Sequence, residues 1–370
     1  MNVLFVVCGE GLGHASRSVK LANYIKEQGV NCSFATYGKA YSFIQDRTDC
    51  PVYELSREVM LGGTGGYFSI GKTIAGIPVS LVKSFLTAWK ILRREDIDVV
   101  VCDTMFAAGA AAKILQIPVL FMTNQNYFGS LTNPNAWYWK IFGKVIRTYL
   151  SFVPKKVLVP DFAPPNTISE YNFRLTEKNR EQYVFIGPIL DPAIHEVTPT
   201  RETVFASFGG ESFNMPLYWM LKEISEINPR VTVQVCSPSE GLPEEGANFK
   251  IAGYVKNTFP YIARAKAAII HGGLSTLHEA VYLGKPVLLI VDPNHPEEGN
   301  NGRKVEELGC GIMIRKDSVT KESLHEAICS CMEMEAADMR GLYEKEDGRV
   351  GFSRVLEEVV SANSRRTRKP

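Results

Sequence analysis

Short apolar runs recur along the chain, and most are followed by a turn of small and polar residues and then by an amphipathic stretch. The run at 2–8 is apolar after its first residue, which is typical of a strand buried on both faces of a parallel sheet. A turn and a helix to about residue 28 follow it. Further strands are predicted at 31–36, 97–102, 119–122 and 157–159, with helices at 70–94 and 107–115. This alternation predicts an α/β fold with parallel strands.

A proline-rich segment at 187–199 interrupts the alternation, and a second series of strands begins after it. These strands are predicted at 203–207, 231–236, 249–255, 267–270 and 287–291, and helices at 324–343 and 352–362. A chain of 370 residues corresponds to about two domains. We therefore predict a first domain at 1–187, a linker at 188–200, a second domain at 201–346, and a final helix with a tail at 347–370.

One turn in the second half of the chain is suited to a phosphate. His271-Gly272-Gly273 follows an apolar strand, and its small residues let a ligand approach the backbone. Ser275 and Thr276 then open a helix, whose free N–H groups, positive dipole end and neighbouring hydroxyls favour an anion. The turn is predicted at the carboxyl end of a parallel strand, where open α/β sheets bind ligands.

Carboxylates follow this turn at positions suited to hydroxyl groups. Glu279 lies three positions after Thr276 on the same helix face, so its carboxylate can accept hydrogen bonds from both hydroxyls of a ribose. After the next strand, Glu297, Glu298 and Asn301 are predicted in an exit loop, where they suit sugar hydroxyls. Sites for phosphate, ribose and sugar in succession indicate a nucleotide sugar. The alternative is that these are ordinary glycine turns with solvated charges.

Two further glycine turns follow predicted strands. Gly209 and Gly210 lie in a second candidate phosphate turn at the start of a helix. Gly9, Gly11 and Gly13 have the spacing Gly-x-Gly-x-Gly, whereas a dinucleotide site has Gly-x-Gly-x-x-Gly and an acid after the second strand, which is missing here. We therefore predict no nicotinamide or flavin cofactor, and we expect Gly11 and Gly13 on the acceptor side.

A histidine and an aspartate follow two strands of the first domain. His14 comes after the first strand, and Asp103 ends the strand predicted at 97–102. If these strand ends are neighbours, Asp103 can orient the ring of His14, which then acts as a general base. The alternative is that His14 only closes a loop and Asp103 only caps a helix. Asn124, just after another strand, is expected to contact the acceptor.

The second-half pattern resembles that of a known family. His-x-Gly-x-x-Thr-x-x-Glu at 271–279, Gly-Lys-Pro at 284–286 and the acidic pair with Asn at 297–301 are similar to the donor signature of GT-B glycosyltransferases. The nearest branch contains the bacterial lipid II N-acetylglucosaminyltransferase, the UDP-glucuronosyl- and plant glucosyltransferases, and archaeal homologues. The resemblance implies two Rossmann-like domains facing each other across a cleft. The first would bind the acceptor, the second the nucleotide sugar, and the last helix would return to the first domain.

The resemblance also implies roles for individual residues. By this resemblance, His271 and Thr276 would contact the diphosphate and Glu279 the ribose. Glu297 and Glu298 would contact the donor sugar. The glucuronosyl and plant branch has a catalytic His after its first strand and an Asp at a later one, which corresponds to His14 and Asp103.

The base and the sugar are less closely defined by this resemblance. Tyr254 and the backbone of Val255 would lie along the base, expected to be uridine, although both residues also suit a core. Glu298 stands where the family usually has Gln. Because an ionised carboxylate only accepts hydrogen bonds, whereas an amide also donates, this change disfavours a uronic acid as the donor sugar.

The net charge of +1 hides a basic region. Between residues 59 and 160 there are eleven Lys and Arg against four acids. At 135–150 these cations alternate with Trp, Tyr and Phe, a composition typical of a helix at a membrane surface, although the same aromatic stripe can be core. Four cations in the tail at 364–370 add to the charge. Contact with an anionic membrane is therefore one prediction, and nucleic acid is not predicted because no binding motif accompanies the charge.

Other sequence features narrow the class of protein. No run of eighteen apolar residues predicts a membrane-spanning helix, and the N-terminus lacks the pattern of a signal peptide. Eight cysteines without CxxC pairs and six scattered histidines predict a reduced, cytoplasmic protein without a metal site. The expected location is the cytoplasm or the cytoplasmic face of a membrane.

Together with the resemblance, these patterns predict an inverting, metal-independent glycosyltransferase. It would move a sugar from a nucleotide diphosphate sugar, by the resemblance a UDP-sugar, to a hydroxyl of a lipid-linked or glycan acceptor. Two alternatives remain open at this point. They are a nucleotide-sugar 2-epimerase of the same architecture and a non-catalytic subunit that binds a nucleotide sugar.

Overall fold

The computed structural model describes residues 1–58, 63–64, 67–68, 77–209 and 214–367. Seven parallel strands form the first sheet, in the order β3-β2-β1-β6-β7-β8-β9, and β4 and β5 form a separate antiparallel pair. The nine strands are β1 (Asn2–Val7), β2 (Asn31–Thr36), β3 (Val52–Glu54), β4 (Gly63–Thr64), β5 (Tyr67–Phe68), β6 (Val99–Asp103), β7 (Val119–Met122), β8 (Lys156–Val159) and β9 (Tyr183–Phe185).

Helices cover both faces of the first sheet, so its strands are buried on either side, as their continuous apolar sequence requires. They are α1 (Leu12–Lys26), α2 (Lys39–Gln45), α3 (Ile77–Arg94), α4 (Phe106–Ile114), α5 (Trp137–Phe152) and the single turn α6 (Glu177–Arg180). The predicted start of α3 at Ile70, together with Gly210 of the second glycine turn, lies outside the described residues.

The second sheet has six parallel strands in the order β12-β11-β10-β13-β14-β15, which is the strand order of a Rossmann fold. These strands are β10 (Thr203–Ser207), β11 (Val233–Cys236), β12 (Phe249–Gly253), β13 (Ala265–Ile270), β14 (Val287–Val291) and β15 (Gly311–Arg315). The surrounding helices are α7 (Met215–Ile227), α8 (Phe259–Ala263), α9 (Leu274–Tyr282), α10 (Pro296–Glu307), α11 (Lys321–Glu333) and α12 (Arg340–Lys345). The predicted architecture of two parallel α/β domains is confirmed.

The last helix, α13 (Gly348–Thr367), packs on the first sheet. Phe352 lies with its ring centre 5.9 Å from that of Phe5 on β1, and Ser353 donates a hydrogen bond to Gln28 at 2.8 Å. Gly351 permits this approach, because a Cβ there would lie 2.1 Å from the carbonyl oxygen of Ile186. The chain therefore crosses between the two sheets twice, once near 186–202 and once before α13.

Three local predictions differ from the structure. The segment expected to be an exit loop at 297–301 is part of α10, since Pro296 at the first helical position fixes a helical φ and His295 caps the helix by accepting from the backbone N–H of Glu297. The predicted helix at 324–343 is divided into α11 and α12, because the backbone turns extended at Met334. The linker contains a 3-10 helix at Pro192–Glu196.

Candidate active site

Three neighbouring strands of the first sheet bring their carboxyl ends together. In the ladder Val7 on β1 lies beside Asp103 on β6, and Asp103 lies beside Met122 on β7. His14 lies in the first turn of α1, which follows β1, and Asn124 lies in the loop that follows β7. The structure therefore places His14, Asp103 and Asn124 at one edge of the sheet, although their separation in sequence is about a hundred residues.

His14 and Asp103 form a hydrogen-bonded pair. Nδ1 of His14 lies 2.7 Å from Oδ1 of Asp103, whose side chain is almost completely buried, whereas 24% of the His14 side chain is exposed. Because Nδ1 is engaged, Nε2 is the ring nitrogen left for a substrate. The pair has the geometry that a general base and its orienting group require.

Arg17 and Ser18 also contact the Asp103 carboxylate, and neither residue was predicted to belong to the site. Arg17 donates from Nε to Oδ2 at 2.7 Å and from Nη2 to Oδ1, and Ser18 donates from Oγ to Oδ2 at 3.2 Å. Burial by itself raises the pKa of a carboxyl group, but the charges and hydrogen bonds of Arg17 and His14 hold the pKa of Asp103 well below its ordinary value. The one signal available was the position of Arg17, one helical turn after His14.

The predicted phosphate turn lies at the corresponding edge of the second sheet. His271 follows β13, and Gly209 follows the neighbouring strand β10. Gly209 has a φ of 71°, and a Cβ at this position would lie 3.6 Å from the His271 ring. Nδ1 of His271 is buried and makes no hydrogen bond within the described residues. Gly272 packs against α10, since a Cβ there would lie 2.7 Å from the Cα of Glu298. A buried imidazole nitrogen without a partner fits a ligand that brings its own hydrogen-bonding atoms.

The N-termini of α1 and α9 face each other across the cleft. A Cβ on Gly13 would lie 3.5 Å from the hydroxyl of Ser275 in the first turn of α9. The N-cap residues, Gly11 and Gly273, have no side chain with which to cap the two helices, and the first-turn N–H groups have no partner inside the helix. Ser275 and its neighbour Thr276 are half-buried beside these free N–H groups. Two positive helix ends directed at one place favour an anion there.

Glu279, one turn further along α9, is only 6% exposed and has two partners. Its Oε2 accepts from the hydroxyl of Thr258 at 2.6 Å, and Nζ of Lys20 on α1 lies 3.6 Å from its Oε1. Lys20 belongs to the first domain and, like Arg17, was not predicted to be part of the site. The carboxylate therefore lies at the predicted position but is engaged by side chains of both domains.

The side chains of Glu297 and Glu298, both predicted to contact the donor sugar, point in different directions from each other. Oε1 of Glu297 accepts from Nδ2 of Asn124 at 3.1 Å, which connects the two domains. Oε2 of Glu298 accepts from the backbone N–H of Asp292 at 2.8 Å. Glu297 thus points into the cleft, while Glu298 also fixes the turn after β14.

Asn301 supports the phosphate turn instead of lining an open sugar site. It is completely buried, donates to the carbonyl of Gly272 at 2.7 Å and accepts from Nδ2 of Asn172 at 2.8 Å. The expectation that it lies in a loop is corrected by this placement, and its predicted role in donor binding stays a prediction. Sequence alone could not show it, because Asn172 is 129 positions away.

The residues assigned to the base lie at the outer end of the cleft. Tyr254 follows β12, is 52% exposed, and its hydroxyl accepts from Arg47 of the first domain at 2.7 Å. Val255 is half-buried against apolar side chains of the second domain. Tyr254 therefore has the exposed aromatic surface on which a base can stack.

Residues 230–357 match the model of the glycosyltransferase family 28 C-terminal domain, and this range includes the phosphate turn, Glu279 and α10. The chain is also 28% identical, over 350 residues and 91% of both proteins, to an uncharacterized glycosyltransferase of Methanosarcina acetivorans. The chain is a glycosyltransferase with the GT-B fold.

Two other similarities concern named activities. This glycosyltransferase is 24% identical to a protein of Anaeromyxobacter dehalogenans. The match extends over 309 residues and covers 78% of this chain and 75% of the relative. That relative is named UDP-N-acetylglucosamine–N-acetylmuramyl-(pentapeptide) pyrophosphoryl-undecaprenol N-acetylglucosamine transferase. The solved structure of a spinosyn rhamnosyltransferase complexed with thymidine diphosphate superposes with a TM-score of 0.68 over 96% of this chain and all of that one, at 16% identity. This last similarity shows the fold.

Proposed function

We propose that the protein is an inverting glycosyltransferase that uses His14 as general base and a nucleotide diphosphate sugar as donor. The observation that supports this most directly is the His14–Asp103 pair, which lies opposite the N-terminus of α9. Nε2 of His14 takes the proton of an acceptor hydroxyl as its oxygen attacks the anomeric carbon from the face opposite the diphosphate. The new C–O bond forms while the bond to the diphosphate breaks, and the bonding electron pair leaves with the diphosphate.

The leaving diphosphate gains negative charge, and the second domain offers groups to stabilise it. The buried imidazole of His271, the hydroxyls of Ser275 and Thr276, and the helix end behind them are positioned for its oxygens. These groups supply the stabilisation without a metal ion in our proposal. Within the described ranges no three His, Cys, Asp or Glu side chains are grouped closely enough to hold one.

The donor is proposed to place its ribose at Glu279 and its sugar at Glu297. Both carboxylates now contact the first domain, through Lys20 and Asn124, so a bound donor would exchange these contacts for its own hydroxyls. A neutral sugar fits better than a uronic acid, because Glu297, Glu298 and Asp292 would repel a further carboxylate. UDP is our proposed nucleotide, supported by the named donor of the Anaeromyxobacter relative, with TDP as the alternative that the spinosyn enzyme suggests.

The acceptor is proposed to be a lipid-linked or glycan hydroxyl at the edge of the first domain. Support comes from the name of the Anaeromyxobacter relative, which describes a pyrophosphoryl-undecaprenol acceptor. Helix α5 gives separate support, because its two sides differ. Trp139, Ile146 and Leu150 pack in the core, whereas Trp137 and Ile141 on the opposite side are 72% and 56% exposed.

We further propose that this side of α5 contacts an anionic membrane on its cytoplasmic face. Lys140, Lys144, Arg147 and Arg174 line an adjacent cavity of about 530 Å³, and none of them forms an ion pair with a carboxylate in the described part of the chain. Apolar side chains beside unneutralised cations are typical of an interfacial helix. No helix among the described residues is long and apolar enough to span a bilayer.

Turnover with purified protein tests the reaction. Wild-type protein is mixed with labelled UDP-sugars and either a lipid-linked or a free glycan acceptor, in parallel with His14→Ala. We expect transfer by the wild type, and a loss of about a hundredfold or more in kcat for the variant with nucleotide binding preserved. An epimerase would instead convert the labelled sugar without any acceptor, and equal nucleotide binding with no chemistry in either protein would indicate a non-catalytic subunit.

Vesicle flotation tests the membrane contact. At low salt the wild type should float with anionic vesicles and not with zwitterionic ones, and Lys140→Glu/Lys144→Glu should remain in solution. Lys250→Glu on the second domain changes an exposed charge away from α5 and should float like the wild type. A wild type that stays in solution with anionic vesicles contradicts the membrane proposal.

A further inference from the structure

A single buried side chain connects the general base to the donor side of the site. Arg17 is 5% exposed and donates hydrogen bonds from Nε and Nη2 to the carboxylate of Asp103. Its Nη1 donates to Oδ1 of Asn124 at 2.6 Å. Asn124 uses its other amide atom to donate to Glu297 on the second domain. The hydrogen bonds therefore run without interruption from His14 through Asp103, Arg17 and Asn124 to Glu297.

The position of the proton on His14 follows from this arrangement. A guanidinium stays charged at any pH at which proteins fold, so its fork keeps the Asp103 carboxylate ionised. An ionised carboxylate can only accept hydrogen bonds. Nδ1 of His14, 2.7 Å from Oδ1, must then be the donor, and the unprotonated nitrogen is Nε2. Arg17 thus selects, through Asp103, the tautomer that a base needs on its substrate side.

Arg17 also limits how strongly Asp103 attracts a protonated ring. Its Nη2 lies 3.0 Å from Nδ1 of His14, and both nitrogens converge on Oδ1 of Asp103. A second positive charge on the ring would lie beside the guanidinium. Without Arg17, the carboxylate would act on the imidazolium alone and would stabilise the protonated form, which cannot accept a proton.

We propose that Arg17 is a positioning residue for glycosyl transfer. Its Nε and Nη2 fix Asp103, so that His14 presents an unprotonated Nε2 to the acceptor. Its Nη1 holds Asn124 in line with Glu297 at the donor sugar. Arg17 contacts neither substrate and acts through these two partners. The inference rests on the proposed function of the same site.

Histidine NMR of the full-length protein tests the proposal without requiring turnover. ¹⁵N spectra of the wild type, Arg17→Met, Arg17→Lys and Lys26→Met are compared across pH, with His14→Ala to assign the signal among six histidines. We expect the Nδ1–H tautomer in the wild type and a titration midpoint that rises by about one pH unit or more in Arg17→Met. The rise should be smaller in Arg17→Lys, which keeps the charge without the fork. Lys26→Met removes an exposed cation from the same helix and should leave the midpoint unchanged.

Kinetics then separate a positioning role from a purely structural one. In Arg17→Met we expect the acid limb of the kcat/KM profile to move to higher pH with the NMR midpoint. The kcat should fall by about tenfold to a hundredfold while KM for the donor stays within about threefold. If Arg17→Met fails to fold, Arg17→Lys and Arg17→Gln supply the same comparison.

Two results would overturn the proposal. One is a wild-type His14 with its proton on Nε2, and the other is an Arg17→Met midpoint equal to that of the wild type. Either result in a protein that still transfers sugar removes the role of Arg17 and leaves the proposed function intact. An absence of transfer by the wild type, with the expected tautomer and midpoints, counts against the proposed function alone.

Discussion

Glu58 caps helix α4 from 48 positions away, accepting a hydrogen bond at 2.7 Å from the backbone N–H of Phe106. Its other oxygen accepts from Ala107 at 3.2 Å and from Ser84 at 3.4 Å, and the side chain is completely buried. The residue at the start of the helix, Met105, offers no cap of its own. Because α4 begins three residues after Asp103, the Glu58 side chain holds the backbone next to the residue that orients the candidate base.

The first prediction concerns the pH dependence of stability. Burial raises the pKa of Glu58 to about 7, partly offset by its hydrogen bonds. The pKa of such a carboxyl group is higher in the folded state than in the unfolded state. Its full contribution to stability is present below the unfolded-state pKa, and this contribution is lost as the pH rises through the folded-state pKa. The free energy of unfolding should therefore fall by up to about 3 kcal/mol between pH 5 and pH 8 through this group. Glu58→Gln should remove that part of the fall.

Urea unfolding of both proteins at several pH values measures this difference. Glu54→Gln is the matched control, since it makes the same chemical change at an exposed position on β3. Equal pH slopes for wild type and Glu58→Gln would show that the buried carboxyl does not titrate in this range.

The second prediction concerns nucleotide binding. Glu279→Ala removes the carboxylate proposed to accept the ribose hydroxyls, so the affinity for the cognate nucleoside diphosphate should fall by about tenfold or more. A thermal-shift screen with UDP, TDP, GDP and ADP measures this, and one diphosphate should stabilise the wild type selectively. Glu357→Ala, an exposed acid on α13, should retain the full shift. No stabilisation of the wild type by any diphosphate would remove the nucleotide-sugar donor from the proposal.

The third prediction uses the close packing of the phosphate turn on α10. Gly272→Ala places a methyl group 2.7 Å from the Cα of Glu298, and backbone atoms cannot yield as a flexible side chain can. We expect a loss of roughly 1–3 kcal/mol in stability and weaker donor binding, because α10 must shift with Glu297 and Glu298. Calorimetry and donor titration check both effects. Gly341→Ala has no atom within 4 Å of its new methyl group and should be neutral or slightly stabilising in α12.

The sequence was sufficient for features set by local patterns. Strands β2, β7, β10 and β14 have the predicted bounds, because continuous apolar runs between turns specify buried parallel strands. The proximity of His14 and Asp103 could also be anticipated, since both follow strand ends and such ends share one edge of a sheet. Their catalytic roles stay predictions.

Features that depend on partners distant in sequence were not predictable. Arg17, Lys20 and Glu58 are charged residues of the kind that usually lie in solvent on helices and loops. Only the fold brings the buried carboxylates of Asp103 and Glu279 beside Arg17 and Lys20, and the start of α4 beside Glu58. Likewise α10 contains two Gly and two Asn in its first two turns and resembles a loop by propensity. Packing against β15 and the first domain overrides that propensity.

The last prediction concerns the connection between the domains at Asn301. Asn301→Ala leaves the carbonyl of Gly272 and the amide of Asn172 without their hydrogen bonds in a fully buried place. Two such groups should lower the free energy of unfolding by roughly 2–4 kcal/mol. Donor affinity should fall as well, because the phosphate turn loses its support. Asn133→Ala, at an exposed position, should change stability by less than about 0.5 kcal/mol in the same urea experiment. Unchanged stability in Asn301→Ala would mean that water replaces the amide, and the turn would then be held by Glu298 and α10 alone.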